Sequence, residues 1–551
     1  MRAIRILLSC TFLLAMPAAA QVTVLTAARI HTMDAARPRA QAMAFDANGR
    51  ILALGRSDEL LARYPQARRI EAGPATVVPG LIDAHGHVSG LGASHLSADL
   101  VGTTGKEEVI ARLRAFAREL PQGAWLTGRG WDQNDWSEQR FPTAADLDAA
   151  FPDRPVWLER IDGHAGWANG AAMRAVGRDL SGNWQPDGGR IERGADGGAT
   201  GIFVDAAMDL VYKAIPAPDD ATLERMLSMG MQDAVEHGLT GVHDAGVSLR
   251  ELEAYRRLAD QDRMPLRVDA MADGDNKALA WLCEHGPYVH ASGRLQMRAV
   301  KLYADGALGS RGAALLADYS DDAGNRGLLV TSPQDLQRIA AKAHGCGLQV
   351  ATHAIGDRGN EIVLDTYEKV LGAATAGDHR WRIEHAQVLA PQDLPRLARL
   401  HVIASMQPTH ATSDMPWAEE RLGAARIDGA YAWRKLRDSG ARLALGSDFP
   451  VESVDPRLGL YAATTREDAE GKPAGGWHPE DKLTPWEALR GFTLDAAFAG
   501  FDEKEVGSLA PGKHADFVIL AEDPLSIPAE QLRQLTVQST WVDGRPVYER
   551  K

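Results

Sequence analysis

The 551-residue sequence predicts an α/β fold, a TIM (β/α)8 barrel carrying two further modules. Three observations predict it. Eight short apolar runs of strand type alternate with helical stretches, both ends of the chain read as antiparallel hairpins, and one connection between strands is far too long for a loop. A barrel needs roughly 250 residues, so a chain of this length has room for all three parts. With 45% hydrophobic and 24% charged residues, the composition is that of a globular protein, without disordered or collagen-like bias.

In chain order, the first segment reads as a secretory signal. Arg2 and Arg5 precede an apolar run, 6–16, that ends in Pro17-Ala18-Ala19-Ala20, so residues 1–20 are expected to be a signal peptide cleaved after Ala20. A membrane anchor would need about 20 apolar residues, more than this run supplies, and no membrane span is expected. Leu7-Leu8-Ser9-Cys10 resembles a lipoprotein box, but cleavage there would leave almost no hydrophobic region before it. The mature protein is therefore expected in the periplasm or outside the cell. Loss of Arg2 and Arg5 takes the formal charge from −14 to −16, which argues against nucleic acid as a partner and leaves a small molecule as the expected one. A homodimer is the default oligomer. Cys10 leaves with the signal; Cys283 and Cys346 remain, in no metal-binding spacing, and the compartment permits a disulfide that the sequence does not itself establish.

Next come strand-like Val22 to Leu25, Ala42 to Asp46 and Arg50 to Leu54, the last two joined by the turn residues Asn48-Gly49. The far end repeats the pattern, with Asp516 to Leu520, then Ser539 to Val542 and Pro546 to Tyr548 around Asp543-Gly544. The two terminal segments, 21–75 and 501–551, are expected to assemble into one β module. Between them, 76–500 should hold the barrel, its strands read at Thr76 to Ile82, Thr240 to His243, Leu266 to Met271, Arg298 to Tyr303, Leu348 to Thr352, Trp381 to Glu384, Val402 to Met406 and Arg442 to Leu445. The helix after the fourth strand is well signalled: Ser332 as cap, Pro333 in the first turn, apolar Leu336, Ile339 and Ala343, and Gly345 past its end. The long connection, about 88–239, is read as an inserted subdomain over the barrel mouth, with strand-like Val156 to Ile161 and a flexible Gly-rich stretch from Gly182 to Gly201.

The residues that carry chemistry form a series, each at the carboxyl end of an expected barrel strand, where barrel enzymes place their active sites: His85 and His87, Lys301, His353, His385 and Asp448. In an extended segment His85-Gly86-His87 points both imidazoles to one side, so one cation can take both. Any one of 17 histidines is more often structural than a ligand; the joint pattern reverses that. An inward Lys301 is costly to bury unless paired or chemically altered.

The carriers Pro79-Gly80-Leu81-Ile82-Asp83-Ala84-His85-Gly86-His87, Lys301-Leu302-Tyr303-Ala304-Asp305-Gly306, Thr352-His353-Ala354-Ile355-Gly356-Asp357, Ile383-Glu384-His385-Ala386, Gly446-Ser447-Asp448 and Gly507-Ser508-Leu509-Ala510-Pro511-Gly512 stand in family order over nearly the whole mature chain. In these the sequence resembles the amidohydrolase superfamily, in the YtcJ-like branch that includes N-substituted formamide deformylases. The resemblance implies that the terminal segments form a composite β-sandwich beside the barrel. It also implies that Lys301 reacts with carbon dioxide, and that the resulting carbamate bridges two divalent metals. One ion would be held by His85, His87, Asp448 and the carbamate, the other by the carbamate, His353 and His385. Such donors suit zinc, with manganese, iron or nickel as alternatives.

On that reading the chain is a metal-dependent hydrolase of a C–N amide-type bond, with Asp448 as the proton shuttle. Three further residues are expected near the substrate. His164, after strand-like Val156 to Ile161, would polarise a carbonyl or else be structural; Arg311 would bind a carboxylate or else pair with Asp305 or Asp318; Trp131, with Trp136 and Trp167, would line an apolar pocket or form the subdomain core. Strand alternation points Glu384 away from His385, outside the ligand set. A deaminase or cyclic-imide hydrolase of the same fold competes, with Lys301 against it; a non-catalytic scaffold is opposed by all six ligand-type residues.

Overall fold

The computed structural model describes residues 22–551 except 119, 122 and 275, so the expected signal peptide lies outside the described residues. The barrel is built from eight parallel strands: β1 (Leu81–Gly86), β2 (Leu239–Val247), β3 (Arg267–Asp273), β4 (Leu295–Tyr303), β5 (Gln349–Ala354), β6 (Arg382–His385), β7 (Ile403–Met406) and β8 (Leu443–Leu445). They are hydrogen-bonded in chain order. A parallel bridge between Gly86 and Phe449 links the two ends of the sheet. Asp448 N donates to His85 O at 2.7 Å and His87 N to Phe449 O at 2.8 Å, which stitches the same seam.

Helices alternate with these strands and cover them. The signalled helix spans Pro333–Gly345, with Ser332 Oγ accepting from Asp335 N at 3.1 Å; it runs through Gly345 and is closed by Cys346. Cys346 is joined to Cys283, at the end of helix Lys277–His285, by a disulfide that ties the helices after β3 and β4.

The first expected barrel strand, Thr76 to Ile82, is two strands. Thr76–Pro79 pairs with Phe517–Leu520 in the terminal sheet and only Leu81–Gly86 enters the barrel. The break is at Gly80, where a side chain would meet Thr240 Oγ1 at 2.0 Å. The terminal segments interleave in one eight-stranded sheet, strands from 23–79 lying beside those from 517–549. It folds back on itself as a sandwich: the Phe45 and Phe517 rings sit 6.1 Å apart though two strands separate theirs, and Ala515 N donates to Gly49 O. At the far hairpin Asp543 and Gly544 both take positive φ, as a tight two-residue turn requires.

Within 88–239, a six-stranded sheet runs from Ala98–Asp99 to Ala199–Asp205. Part of the Gly-rich stretch forms the hairpin of Gly189–Arg193 with Ala199–Asp205. Helices Val88–Ser94 and Asp220–Glu236 instead pack on the barrel: Val88, Leu91, Leu223, Leu227 and Met231 belong to its core. They touch closely because Gly92 faces the Met226 carbonyl and Gly230 that of Val88, leaving no room for a β-carbon.

Candidate metal centre

The six residues of the series line one cavity at the carboxyl ends of the strands. His85 is in β1 and His87 just after it, Lys301 is in β4, His353 in β5, His385 ends β6, and Asp448 lies three residues past β8. His385 and Asp448 have φ of +73° and +63°, left-handed values uncommon outside glycine that the surrounding structure must hold.

Hydrogen bonds decide which face of each imidazole looks inward. His85 Nδ1 bonds Glu384 Oε2 at 2.5 Å, His87 Nδ1 bonds the Ala245 carbonyl at 2.9 Å, and His385 Nδ1 bonds Gln407 Oε1 at 2.8 Å. With each Nδ1 donating, each Nε2 presents a lone pair to the cavity. His353 is turned differently, its Nε2 lying 3.4 Å from the Gly306 carbonyl, so Nδ1 is its free ring nitrogen. The His353 and His385 rings are 4.6 Å apart, and those of His85 and His385 5.0 Å.

Burial lowers the basicity of these rings. It brings His85 down to about 4, helped by the neighbouring Lys301, and takes His353 and His385 well below the ordinary value, so all three are neutral at neutral pH. Lys301 is buried with Nζ 3.0 Å from His85 Nε2, and desolvation brings it down to about 8.

This donor set fits a cation. Ligand atoms of His85, His385 and Asp448 lie within 4.8 Å of one another. Asp448 Oδ1 makes no well-formed hydrogen bond, although it sits 3.1 Å from His87 Nε2 and 3.5 Å from His85 Nε2. A carboxylate oxygen facing imidazole lone pairs, dry and without a donor, is a costly arrangement that a divalent ion between them removes. Nitrogen and carboxylate donors in this mixture are those of zinc and its first-row neighbours.

Of the three expected substrate residues, only His164 reaches the cavity. Its Nδ1 bonds Asp205 Oδ1 at 2.6 Å and its ring lies 5.0 Å from that of His353. Burial opposes charge on this ring, but the Asp205 carboxylate outweighs it and the pKa rises above the ordinary 6.5. Trp131 is corrected to a core residue: it is fully buried, packs edge-on against Trp167 and donates to the Leu158 carbonyl. Arg311 is corrected to an ion-pair residue, and its partner is Asp321 at 2.8 Å, neither Asp305 nor Asp318.

Sequence reasoning passed over several residues. Glu384 is outside the ligand set, as alternation requires, yet holds His85 in place and is itself gripped by Arg382, whose other nitrogens reach His243 Nδ1, Ser405 Oγ and the Ala84 carbonyl. Asp83, which accepts from the backbone N–H groups of His85 and Ser447, clamps the strands that carry His85 and Asp448; burial pushes its carboxyl up to about 7. His410 sits with Nε2 unpartnered, 3.7 Å from Asp448 Oδ2. Its signal, in hindsight, was a histidine four residues past the end of β7.

A parallel barrel with neutral imidazoles, a buried lysine and an orphaned carboxylate converging at the strand ends defines a metal-dependent hydrolase. The model of the amidohydrolase family matches residues 68–548, and this chain belongs to that family. YtcJ of Bacillus subtilis (strain 168), named as an amidohydrolase, is 35% identical over 95% of this chain and 98% of its own length. The N-substituted formamide deformylase of Arthrobacter pascens is 31% identical, over 95% and 97%. Among solved structures, an uncharacterized metal-dependent hydrolase from Pyrococcus horikoshii OT3 superposes with a TM-score of 0.75 at 27% identity, covering 92% of this chain and 99% of that one. The protein is thus a metal-dependent amidohydrolase acting on C–N bonds.

Proposed function

We propose that the chain hydrolyses the C–N bond of a small N-substituted amide, with formamides as the leading class, and that Asp448 carries the proton. The observation that supports this most is the orphaned Asp448 Oδ1 beside two imidazole lone pairs, with Oδ2 open to the cavity side where His410 stands. The name of the Arthrobacter relative supplies the formamide class.

His85, His87 and Asp448 would hold one divalent ion, zinc by donor type, and His353 with His385 a second, with Lys301 as its carbamate supplying an oxygen donor to each. When bound, the ion supplies Lewis-acid activation of water and of the amide carbonyl. Modification of Lys301 would form a bond from neutral Nζ to the carbon of carbon dioxide as one C=O π pair moves to oxygen, release one proton, and replace a buried amine by an anionic oxygen donor. Asp448 takes the proton of the attacking water on a carboxylate oxygen and delivers it to the leaving nitrogen, so that a neutral amine departs. His164, held through Nδ1 by the Asp205 carboxylate that favours its protonated form, would in that form donate from Nε2 to the carbonyl oxygen as negative charge develops there.

The Cys283–Cys346 disulfide supports an oxidising compartment, and with it periplasmic or secreted localisation. Among the described residues no helix is long and apolar enough to cross a membrane.

The test is chemical. Purified protein should carry divalent metal, lose turnover to a chelator and regain it with zinc, and release amine plus formate, not ammonia, from N-substituted formamides. Ammonia release from an exocyclic amino group with no amide turnover would replace this reading by deamination.

A further inference from the structure

The cavity above the metal centre measures about 910 Å³, far more than the reacting amide needs, so most of it is shaped for the rest of the substrate. Its walls come from two sources. The inserted subdomain contributes Trp157, Ile161 and Tyr212, and the barrel loops contribute Leu308, Trp417 and Val451, an apolar and partly aromatic lining.

The charges in that lining are one-sided. Arg160 and Arg129 are its only guanidinium groups among the described residues, and both are already engaged: Arg160 between Asp132 and Asp162, with Gln133 on its Nε, and Arg129 with Glu159 and the Ile161 carbonyl. Gly309 packs against the Arg160 guanidinium, further confining it. Asp414 and Glu452 also line the cavity, and among the described residues neither forms an ion pair with a lysine or arginine. Asp414 Oδ2 takes hydrogen bonds from Tyr431 Oη and Gln387 Nε2, and Glu452 Oε1 takes one from Ser413 Oγ, so each carboxylate keeps an oxygen for a ligand. Independently, the unpartnered His410 Nε2, on a residue only 8% exposed, borders the same region and calls for a polar group supplied by the substrate.

We infer that the site takes amides whose substituent is aromatic or otherwise apolar and neutral or positively charged, and that it turns away amides bearing a carboxylate. Away from the metal centre, an anionic substituent would find only guanidinium groups that are already neutralised and would meet two carboxylates without an ion-pair partner. An ammonium group would relieve both. Acylated amino acids are thereby excluded, and amides of hydrophobic amines or diamines are favoured. The inference rests on the proposed function only for where the reacting amide lies.

Binding tests it without requiring turnover. Three methanesulfonamides of 2-phenylethylamine, bearing hydrogen, aminomethyl or carboxylate at the para position, are titrated by calorimetry into the metal-loaded protein at pH 8, above the value of about 7 to which burial lifts Asp414. The carboxylate compound should bind at least about tenfold more weakly than the neutral one and the aminomethyl compound more tightly, with D414N and E452Q each narrowing the gap. Equal or tighter binding of the carboxylate compound, or binding of none of the three, overturns the inference. Absence of formamide hydrolysis, by contrast, would sink the proposed reaction and leave this charge preference to be judged on the titration alone.

Discussion

Asp448 has two demands on it: one oxygen faces imidazole lone pairs and the other faces substrate space beside His410. Replacement by asparagine keeps the shape, and a neutral donor-acceptor group in place of the anion cannot shuttle a proton. Asp448→Asn should keep the fold and part of the metal while kcat falls by about 10² to 10⁴; a near-native rate would remove Asp448 from the shuttle role. Glu384 offers a sharper separation of roles, because it never touches the cavity. Arg382 and the His85 ring hold its carboxyl well below the usual range against the opposing effect of burial, so it stays anionic under His85. Glu384→Gln should weaken metal affinity by about 10- to 100-fold, read as metal content after dialysis, with the metal-saturated variant recovering most of its kcat. An unchanged affinity would make the Arg382–Glu384 pair purely structural.

At the scale of elements, the seam between β1 and β8 is where the barrel closes and where three of the six ligand-type residues sit. Gly86 is glycine for that reason: a β-carbon there would lie 2.5 Å from the ring of Phe449, which is fully buried and cannot yield. Gly86→Ala should cost about 1–3 kcal/mol in thermal or denaturant unfolding and lower activity by displacing His85 and His87 together. The helix staple is a second elemental device. Its closed loop spans a sequence separation of 63, for which chain entropy gives roughly 4 kcal/mol, so Cys283→Ser with Cys346→Ser should lower the unfolding temperature while leaving metal content intact. Strand positions were legible in the sequence because apolar runs bounded by turn residues are local signals, and all six ligand-type residues were legible because the barrel places chemistry at strand ends. The rest was not. The split of Thr76 to Ile82 at Gly80 depends on Thr240, some 160 positions away, and the sequence left Trp131 and Arg311 between a site role and a structural one because the choice is made by packing of the insertion and by Asp321. Asp205 and His410 were invisible because their meaning lies in what they face, His164 and Asp448.

For the whole molecule, the terminal sandwich and the barrel are joined by more than chain connectivity. Arg267, at the start of β3, bonds Asp516 through two nitrogens at 2.7 and 3.1 Å and Asp543 at 2.5 Å, while Arg294 adds a second bond to Asp543 at 3.0 Å. Thr540 Oγ1 of the terminal sheet donates to the Val235 carbonyl at the end of the helix before β2, at 2.7 Å. Arg267 and Asp516 are both largely buried, so removal of the guanidinium leaves the Asp516 carboxylate without a cationic partner in the interface. Arg267→Ala should therefore destabilise by about 3–5 kcal/mol and split a single calorimetric transition into two as the sandwich uncouples from the barrel. The same joint sets an acid limit. Burial raises the Asp543 carboxyl, but His514 and Arg267 outweigh it and hold it below its unfolded value, so its contribution is complete above that value and is lost as pH falls through it, below about pH 4. Wild-type protein should thus lose unfolding temperature steeply below about pH 4, and Arg267→Ala should show a shallower fall because the charge that depresses Asp543 is partly gone. Equal slopes for the two proteins would place the acid sensitivity elsewhere in the molecule.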